Sequence, residues 1–182
     1  MKQRIHSTVC ATAIVIAIAY TGPAQTQTTS SSSFQIVEAS IDDIHMAFRS
    51  GRLTARQLVQ NYLDRINAYD KQGPNINSVI TINPNALAAA DRLDAEFRNS
   101  SRLVGPLHGI PILVKDEIDT AGMPTTLGTV VFKDYRPPKD AFVVDKLRQG
   151  GAIILGKTTL SEFAAGDTYG SSSISRSRTP LA

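Results

Sequence analysis

The sequence contains very little cysteine and histidine, the residues on which disulfides and most metal sites depend. Cys10 is its only cysteine, and its three histidines are His6, His45 and His108. Because Cys10 lies in the predicted leader described below, the mature chain can form no disulfide, even in an oxidising compartment. No histidines and carboxylates cluster at metal-ligand spacing, so we expect neither a metal nor another cofactor. Stability must then come from a hydrophobic core.

The sequence also lacks the charge that would favour a nucleic acid or an anionic membrane as a partner. Residues 1–24 have the pattern of a signal peptide: the basic residues Lys2 and Arg4, a mostly apolar stretch from Val9 to Tyr20, and small residues up to Ala24. Without this leader the chain carries 17 Lys+Arg (19 − 2) against 16 Asp+Glu, a net charge of +1. We therefore predict secretion, no nucleic-acid partner and no stable membrane span, since a span needs about 20 apolar residues.

Beyond the leader, composition predicts a short tether and one domain. Residues 25–35 are mostly Gln, Thr and Ser, which bury too little apolar surface to offset the entropy of ordering, so we expect disorder there. Residues 36–182 have an ordinary globular composition. In them, helices alternate with short aliphatic strands, which indicates an α/β fold with a mixed, partly parallel sheet flanked by helices.

Local signals place most elements of this domain. Ser40 with Asp43, and Thr54 with Gln57, have the spacing of capping boxes that begin two helices. The remaining predictions are a strand at 79–82, a helix from 84 to about 98, a buried strand at 110–114, an irregular surface segment at 119–138, a helix at 141–149, a strand at 152–155 and a helix at 159–165.

The most unusual stretch runs from Gly105 to Asp116, where a run of apolar β-formers ends in a lysine. Four large aliphatic residues in the five positions 110–114 predict a buried strand. Lys115 follows directly. Burial disfavours the charged form of a lysine, so Lys115 is our candidate general base. Asp116, with the acidic residues after it, is interpreted as a solvated turn in which Asp116 could hold a strand end.

Other motifs favour ordinary structural roles. Gly151 to Thr158 matches a phosphate-binding loop, but its middle is an aliphatic strand, so Lys157 is interpreted as a structural or surface lysine at a strand end. The serines of Gly170–Ser173 lack the glycine that a nucleophile elbow needs, and we interpret them as a polar loop. His45 and His108 are interpreted as partly exposed structural histidines. Asn99 begins a glycosylation sequon in a predicted loop, so an N-glycan there is open.

These residues carry a resemblance. The stretch from Gly105 to Asp116, the following residues to Thr126, and the segments 150–158 and 160–164 resemble the amino-terminal part of the amidase signature family, over roughly residues 36–182. The resemblance implies a hydrolase of carbon–nitrogen bonds on a large mixed sheet, with a small amide as substrate. A lysine there takes a proton through a bridging serine, while a second serine attacks the amide carbonyl. The lysine maps onto Lys115.

The sequence departs from the family pattern where the bridging serine would be. The expected Gly-Gly-Ser-Ser-Gly-Gly segment follows an Asn-Pro turn, whereas this chain has Arg178–Leu181 at that turn and ends at Ala182. We therefore expect an incomplete amidase domain that lacks both catalytic serines and is inactive and poorly soluble alone. Two alternatives stay open: a noncatalytic secreted binding domain and, with less support, nucleotide binding at Gly151 to Thr158.

Overall fold

A computed structural model describes residues 34–165, so the predicted leader and most of the predicted tether lie outside the described residues. The first two helices begin at the predicted caps. Helix α1 spans Ile41–Arg49 and α2 spans Ala55–Arg65, and both have complete capping boxes. A π-helical extension, Ile66–Lys71, continues α2. Both predicted helix starts are confirmed. A capping box uses only residues within one turn, so the local sequence is enough to predict it.

Three strands form one mixed sheet. Strand β1 spans Val79–Ile82, β2 spans Pro111–Lys115 and β3 spans Ile153–Thr158. Their order is β1-β3-β2, with β3 antiparallel to β1 and parallel to β2. This confirms the predicted α/β architecture with a partly parallel sheet. Strand β3 continues three residues beyond the predicted end, because it pairs with both neighbours over this stretch.

Helices cover both faces of the sheet. Helix α3, Ala86–Ser100, packs with α1 and α2 in a core that includes Ile153 and Leu155 of β3. Helix α4, Phe142–Gln149, contributes Val144 to a second core with Val114, Met123 and Ile154. Apolar side chains of β3 therefore enter both cores, as expected for the central strand of a covered sheet.

Two sequence-based predictions about these elements are wrong. The predicted helix at 159–165 is a single 3-10 turn, Glu162–Ala164, in which Phe163 and Ala164 have positive φ angles. Asn99 lies in the last turn of α3 and is exposed there, whereas we predicted a loop. Helix α3 runs past the predicted end because Ser101 adopts a left-handed conformation and closes the helix, a role usually taken by glycine.

Candidate active site

The candidate site lies at the carboxyl end of the parallel pair β2 and β3. Lys115 is the last residue of β2 and pairs with Thr158, the last residue of β3. Ligands of open α/β sheets bind beyond the carboxyl ends of parallel strands, because the loops that follow the strands converge there. The sheet therefore places Lys115 where a reactant can approach.

Lys115 is more exposed than the sequence predicts. Its side chain is 48% exposed, and its Nζ lies 3.4 Å from Oε1 of Glu117. Leu113, two residues earlier and on the same face of β2, is 38% exposed. The prediction of a fully buried strand is wrong because β2 is hydrogen-bonded to β3 on one side and has no strand on its other side among residues 34–165.

An open cavity of 390 Å³ adjoins this exposed face of β2. Leu113 lines it together with side chains from α2, its π-helical extension and β1, among them Tyr62, Arg65, Tyr69 and Val79. The guanidinium of Arg65 lies over the ring of Tyr69, 5.4 Å from its centre. The walls are therefore largely aromatic and aliphatic, which suits the apolar part of a small molecule.

Asp116 lies on the opposite, buried face, and the prediction of a solvated turn is wrong for this residue. It is fully buried. Its Oδ2 accepts hydrogen bonds from the backbone N–H of Thr126 at 3.0 Å and of Gly128 at 3.4 Å, and from the hydroxyl of Thr126. The backbone N–H of Asp116 donates to the carbonyl of Thr158 at 3.0 Å, so Asp116 does hold a strand end, as the sequence suggested.

Lys157 is buried beside this carboxylate and has no exposed surface. Its Nζ lies 3.8 Å from Oδ1 of Asp116 and donates to the carbonyl of Pro124 at 3.2 Å and to Oγ1 of Thr125 at 3.1 Å. Burial lowers the pKa of Lys157, while the negative charges of Asp116 and Asp119 oppose that shift. Lys157 is thus structural, as predicted, but it is an interior residue and not a surface one.

This position of Lys157 excludes the phosphate-binding alternative. A phosphate-binding loop needs backbone N–H groups that wrap an anion and a lysine that can reach it. Residues 153–158 are instead the hydrogen-bonded central strand β3, and the Lys157 ammonium points to buried protein oxygens. Gly151 lies in the turn before β3 and its N–H donates to the carbonyl of Arg148.

The segment that forms these hydrogen bonds with Asp116 and Lys157, residues 124–128, is called the threonine loop below. The surface prediction for 119–138 is wrong here, because Thr125 and Thr126 are both buried. Gly128 has a φ of +69°, and a Cβ at this position would lie 2.8 Å from the carbonyl oxygen of Leu160. Close packing against residue 160 and the bonds to Asp116 and Lys157 therefore hold the loop under the strand ends.

Both described histidines have structural roles but are more buried than predicted. His45 is 5% exposed and its Nε2 lies 3.0 Å from the carbonyl oxygen of His108, to which it donates. His108 is 1% exposed, and its Nδ1 accepts from the N–H of Val104 at 3.1 Å. Burial, followed by the nearby charge of His45, lowers the pKa of His108, while Asp94 and Glu96 oppose the shift.

Comparison with known proteins assigns the chain to a family. A family model for amidases matches residues 57–182. A probable amidase of Arabidopsis thaliana is 44% identical over 137 residues, which are 74% of this chain and 26% of that protein. One glutamyl-tRNA(Gln) amidotransferase subunit from Chloroflexus aurantiacus is 41% identical over 122 residues, which are 67% of this chain and 24% of that protein. The chain belongs to the amidase signature family.

Solved amidase structures share the fold as well. The native peptide amidase of Stenotrophomonas maltophilia is 44% identical and superposes with a TM-score of 0.66 over 69% of this chain and 26% of that one. A peptide amidase bound to the competitive inhibitor chymostatin gives a TM-score of 0.68 over 71% and 26% of the two chains. The chain therefore spans about a quarter of the length of the amidases that it matches.

Within this amidase segment, sequence analysis missed the burial of Lys157, Thr125 and Thr126. The contacts of Lys157 with Pro124 and Thr125 join residues more than 30 positions apart, and Thr126 contacts Asp116 ten positions away, so no local pattern predicts this burial. The serines of Gly170–Ser173 lie outside the described residues, and so do residues 178–181. Among residues 34–165, no group of three or more His, Cys, Asp or Glu could hold a metal ion. No helix in the same range is long and apolar enough to cross a membrane.

Proposed function

We propose that this chain carries the lysine-bearing part of a hydrolase that cleaves the carbon–nitrogen bonds of amides. The observation that carries the proposal is the position of Lys115. It is the next-to-last residue of the Gly105–Asp116 motif inside the family match and lies at the carboxyl end of β2, on the accessible face. A lysine at that point can reach a reactant, whereas Lys157 cannot.

In this proposal Lys115 is the general base of a catalytic arrangement made of two serines and a lysine. A serine hydroxyl is a weak nucleophile until a neighbouring base takes its proton. Lys115 takes that proton through a bridging serine, as the family resemblance implies, and the second serine then attacks the amide carbonyl. A lysine accepts a proton only when neutral, and exclusion of water favours the neutral form.

The substrate proposed for this site is a small amide with an apolar substituent. The cavity beside Leu113 supports this class, because it lies on the Lys115 face of β2 and is lined by Tyr62 and Tyr69. Aromatic and aliphatic walls stabilise an apolar group by removing it from water.

We also propose that the 182-residue chain alone has no measurable amidase turnover, in line with the expected lack of both catalytic serines. The direct test is hydrolysis of an aryl amide by the purified chain, by Lys115→Ala and by Lys146→Ala, which alters a remote exposed lysine. Turnover by the chain that Lys115→Ala abolishes would establish the base and overturn the proposed inactivity.

If the chain is inactive, a chimera tests the role of Lys115. Residues 57–165 of this chain would replace the aligned segment of the Stenotrophomonas maltophilia peptide amidase, with which it shares 44% identity. We expect the chimera to hydrolyse peptide amides, Lys115→Ala to abolish hydrolysis and Lys146→Ala to leave it unchanged. A folded chimera that is active with Lys115→Ala would contradict the proposal and favour the noncatalytic binding domain.

Secretion through residues 1–24 remains part of the proposal, supported by the basic, apolar and small-residue regions of that segment. Amino-terminal sequencing of the exported product should find Gln25 as the first residue. Retention of Met1 would contradict cleavage after Ala24. The same sample tests the N-glycan at the exposed Asn99, because treatment with a glycosidase would then lower its mass.

A further inference from the structure

The threonine loop is held by two charged side chains that come from different strands. Asp116, directly after β2, accepts hydrogen bonds from the later part of the loop, residues 126 and 128. Lys157 of β3 donates to its first part, residues 124 and 125. The two charged groups lie 3.8 Å apart, and both side chains are fully buried. The pair therefore forms hydrogen bonds with both ends of the threonine loop.

The same contacts constrain the backbone that carries Lys115. Lys115 and Asp116 are neighbours and point to opposite faces, since successive side chains of an extended chain alternate. The Asp116 side chain is fixed by the threonine loop, and its N–H is fixed by the carbonyl of Thr158. With both groups of residue 116 held, the peptide that follows Lys115 has little freedom to rotate.

We propose that Asp116 and Lys157 form a positioning pair, which clamps the threonine loop under the ends of β2 and β3 and thereby directs Lys115 to the open face. The clamp stands on the described contacts alone, while the description of Lys115 as the base rests on the proposed function. A buried ion pair adds little stability over apolar residues of similar size, so a geometric role gives a reason for charges at this point.

The test replaces the pair by apolar residues of similar size. The variant Asp116→Leu/Lys157→Met, made in the full chain, removes both charges together and leaves neither one buried without a partner. Hydrogen exchange measured by NMR reports the backbone N–H groups of Thr126 and Gly128. We expect their exchange to become at least about tenfold faster, while Ile153, whose N–H donates to the carbonyl of Ile110, stays protected. Lys139→Met, at an exposed lysine, is the matched control and should change neither.

A second readout separates positioning from stability. Acetylation of the native chain by a water-soluble ester gives the rate at Lys115 relative to the exposed Lys146. In the double variant this ratio should rise by about threefold, because a released strand end opens locally more often. A pair that adds only to global stability would leave the ratio unchanged. Neither readout measures hydrolysis, so failure of the clamp and failure of Lys115 as the base are distinguishable.

A milder variant covers the case in which the double variant does not fold. Thr125→Val removes one acceptor of Lys157 and keeps both charges. We expect it to accelerate exchange at Thr126 by about threefold and to raise the acetylation ratio in the same direction. Unchanged exchange at Thr126, or an unchanged acetylation ratio, in either folded variant would overturn the proposal.

Discussion

Two lysines at the carboxyl ends of neighbouring strands meet opposite environments. Lys115 ends the edge strand β2 with a side chain that is 48% exposed and 3.4 Å from Glu117. Lys157 lies in the central strand β3, fully buried, with a carboxylate and two further oxygens around its ammonium. The comparison teaches that the face of the sheet to which a lysine points, and not the apolar run preceding it, decides whether its side chain is buried. Lys157 pairs with Val114 on the buried face, whereas Lys115 shares the exposed face of β2 with Leu113.

The largest expected effect follows from removing the buried cation alone. Lys157→Met leaves Asp116 charged and buried without its partner, which costs about 3–5 kcal/mol of unfolding free energy. Urea unfolding measures the loss, with Lys139→Met as the control. If adding Asp116→Leu to the Lys157→Met chain restores most of the stability, the loss comes from the unpaired charge of Asp116. An unchanged urea midpoint in Lys157→Met would show that the pair is not formed.

A steric change at the central strand should come next. A Cβ at Gly156 would lie 2.3 Å from the carbonyl oxygen of Thr81, and backbone cannot move away as a flexible side chain can. Gly156→Ala should therefore cost about 1–3 kcal/mol by forcing β1 and β3 apart. Leu113→Ala, on the exposed face of β2, is the variant with which Gly156→Ala is compared. A larger loss of unfolding free energy in Leu113→Ala than in Gly156→Ala would contradict the view that the exposed face of β2 contributes less to stability than the central strand.

The pH dependence of the unfolding free energy tests the burial of His108. Because the pKa of His108 is lowered by burial, the unfolded chain binds a proton there more readily than the folded chain does. Unfolding free energy should therefore fall as pH drops below the unfolded value of about 6.5, by no more than about 1.4 kcal/mol per pH unit for this one proton. Urea midpoints between pH 8 and pH 5 measure the slope, which His108→Gln should flatten. An equal slope in the variant would assign it to other groups.

The smallest expected effect is at the exposed lysine. Lys115→Ala removes a half-exposed side chain whose ion pair with Glu117 is open to solvent, so unfolding free energy should change by no more than about 0.5 kcal/mol. The urea midpoint checks this directly. A loss comparable to that in Lys157→Met would show that Lys115 is also a structural residue.

Signals within a few residues of each other predicted the fold well. Ser40 and Thr54 cap their helices as expected, β1 has the predicted bounds, and α4 begins within one residue of its predicted start. Each of these features depends on side chains one or two turns apart, or on a short run of β-formers. The helix predicted at 159–165 failed because contacts outside the segment decide its backbone, such as the N–H of Phe163 donating to the carbonyl of Leu127.

The candidate site was only partly predictable for the same reason. The motif that contains Lys115 is contiguous, so sequence located the lysine and its strand. Its exposure depends on which face of the assembled sheet is covered at this point, since Val114 of the same strand is buried on the opposite face. The burial of Asp116 depends on Thr126, ten residues away, and that of Lys157 on Thr125, more than 30 residues away. No local spacing encodes such contacts.

The most direct test of the division between the two lysines is site-resolved acetylation of the folded chain with a water-soluble ester, followed by mass spectrometry of peptides. We predict that Lys115, which is half-exposed, is modified under native conditions although more slowly than the exposed Lys146, and that Lys157 stays unmodified until urea unfolds the chain. Modification of Lys157 under native conditions as fast as that of Lys115 would contradict the account.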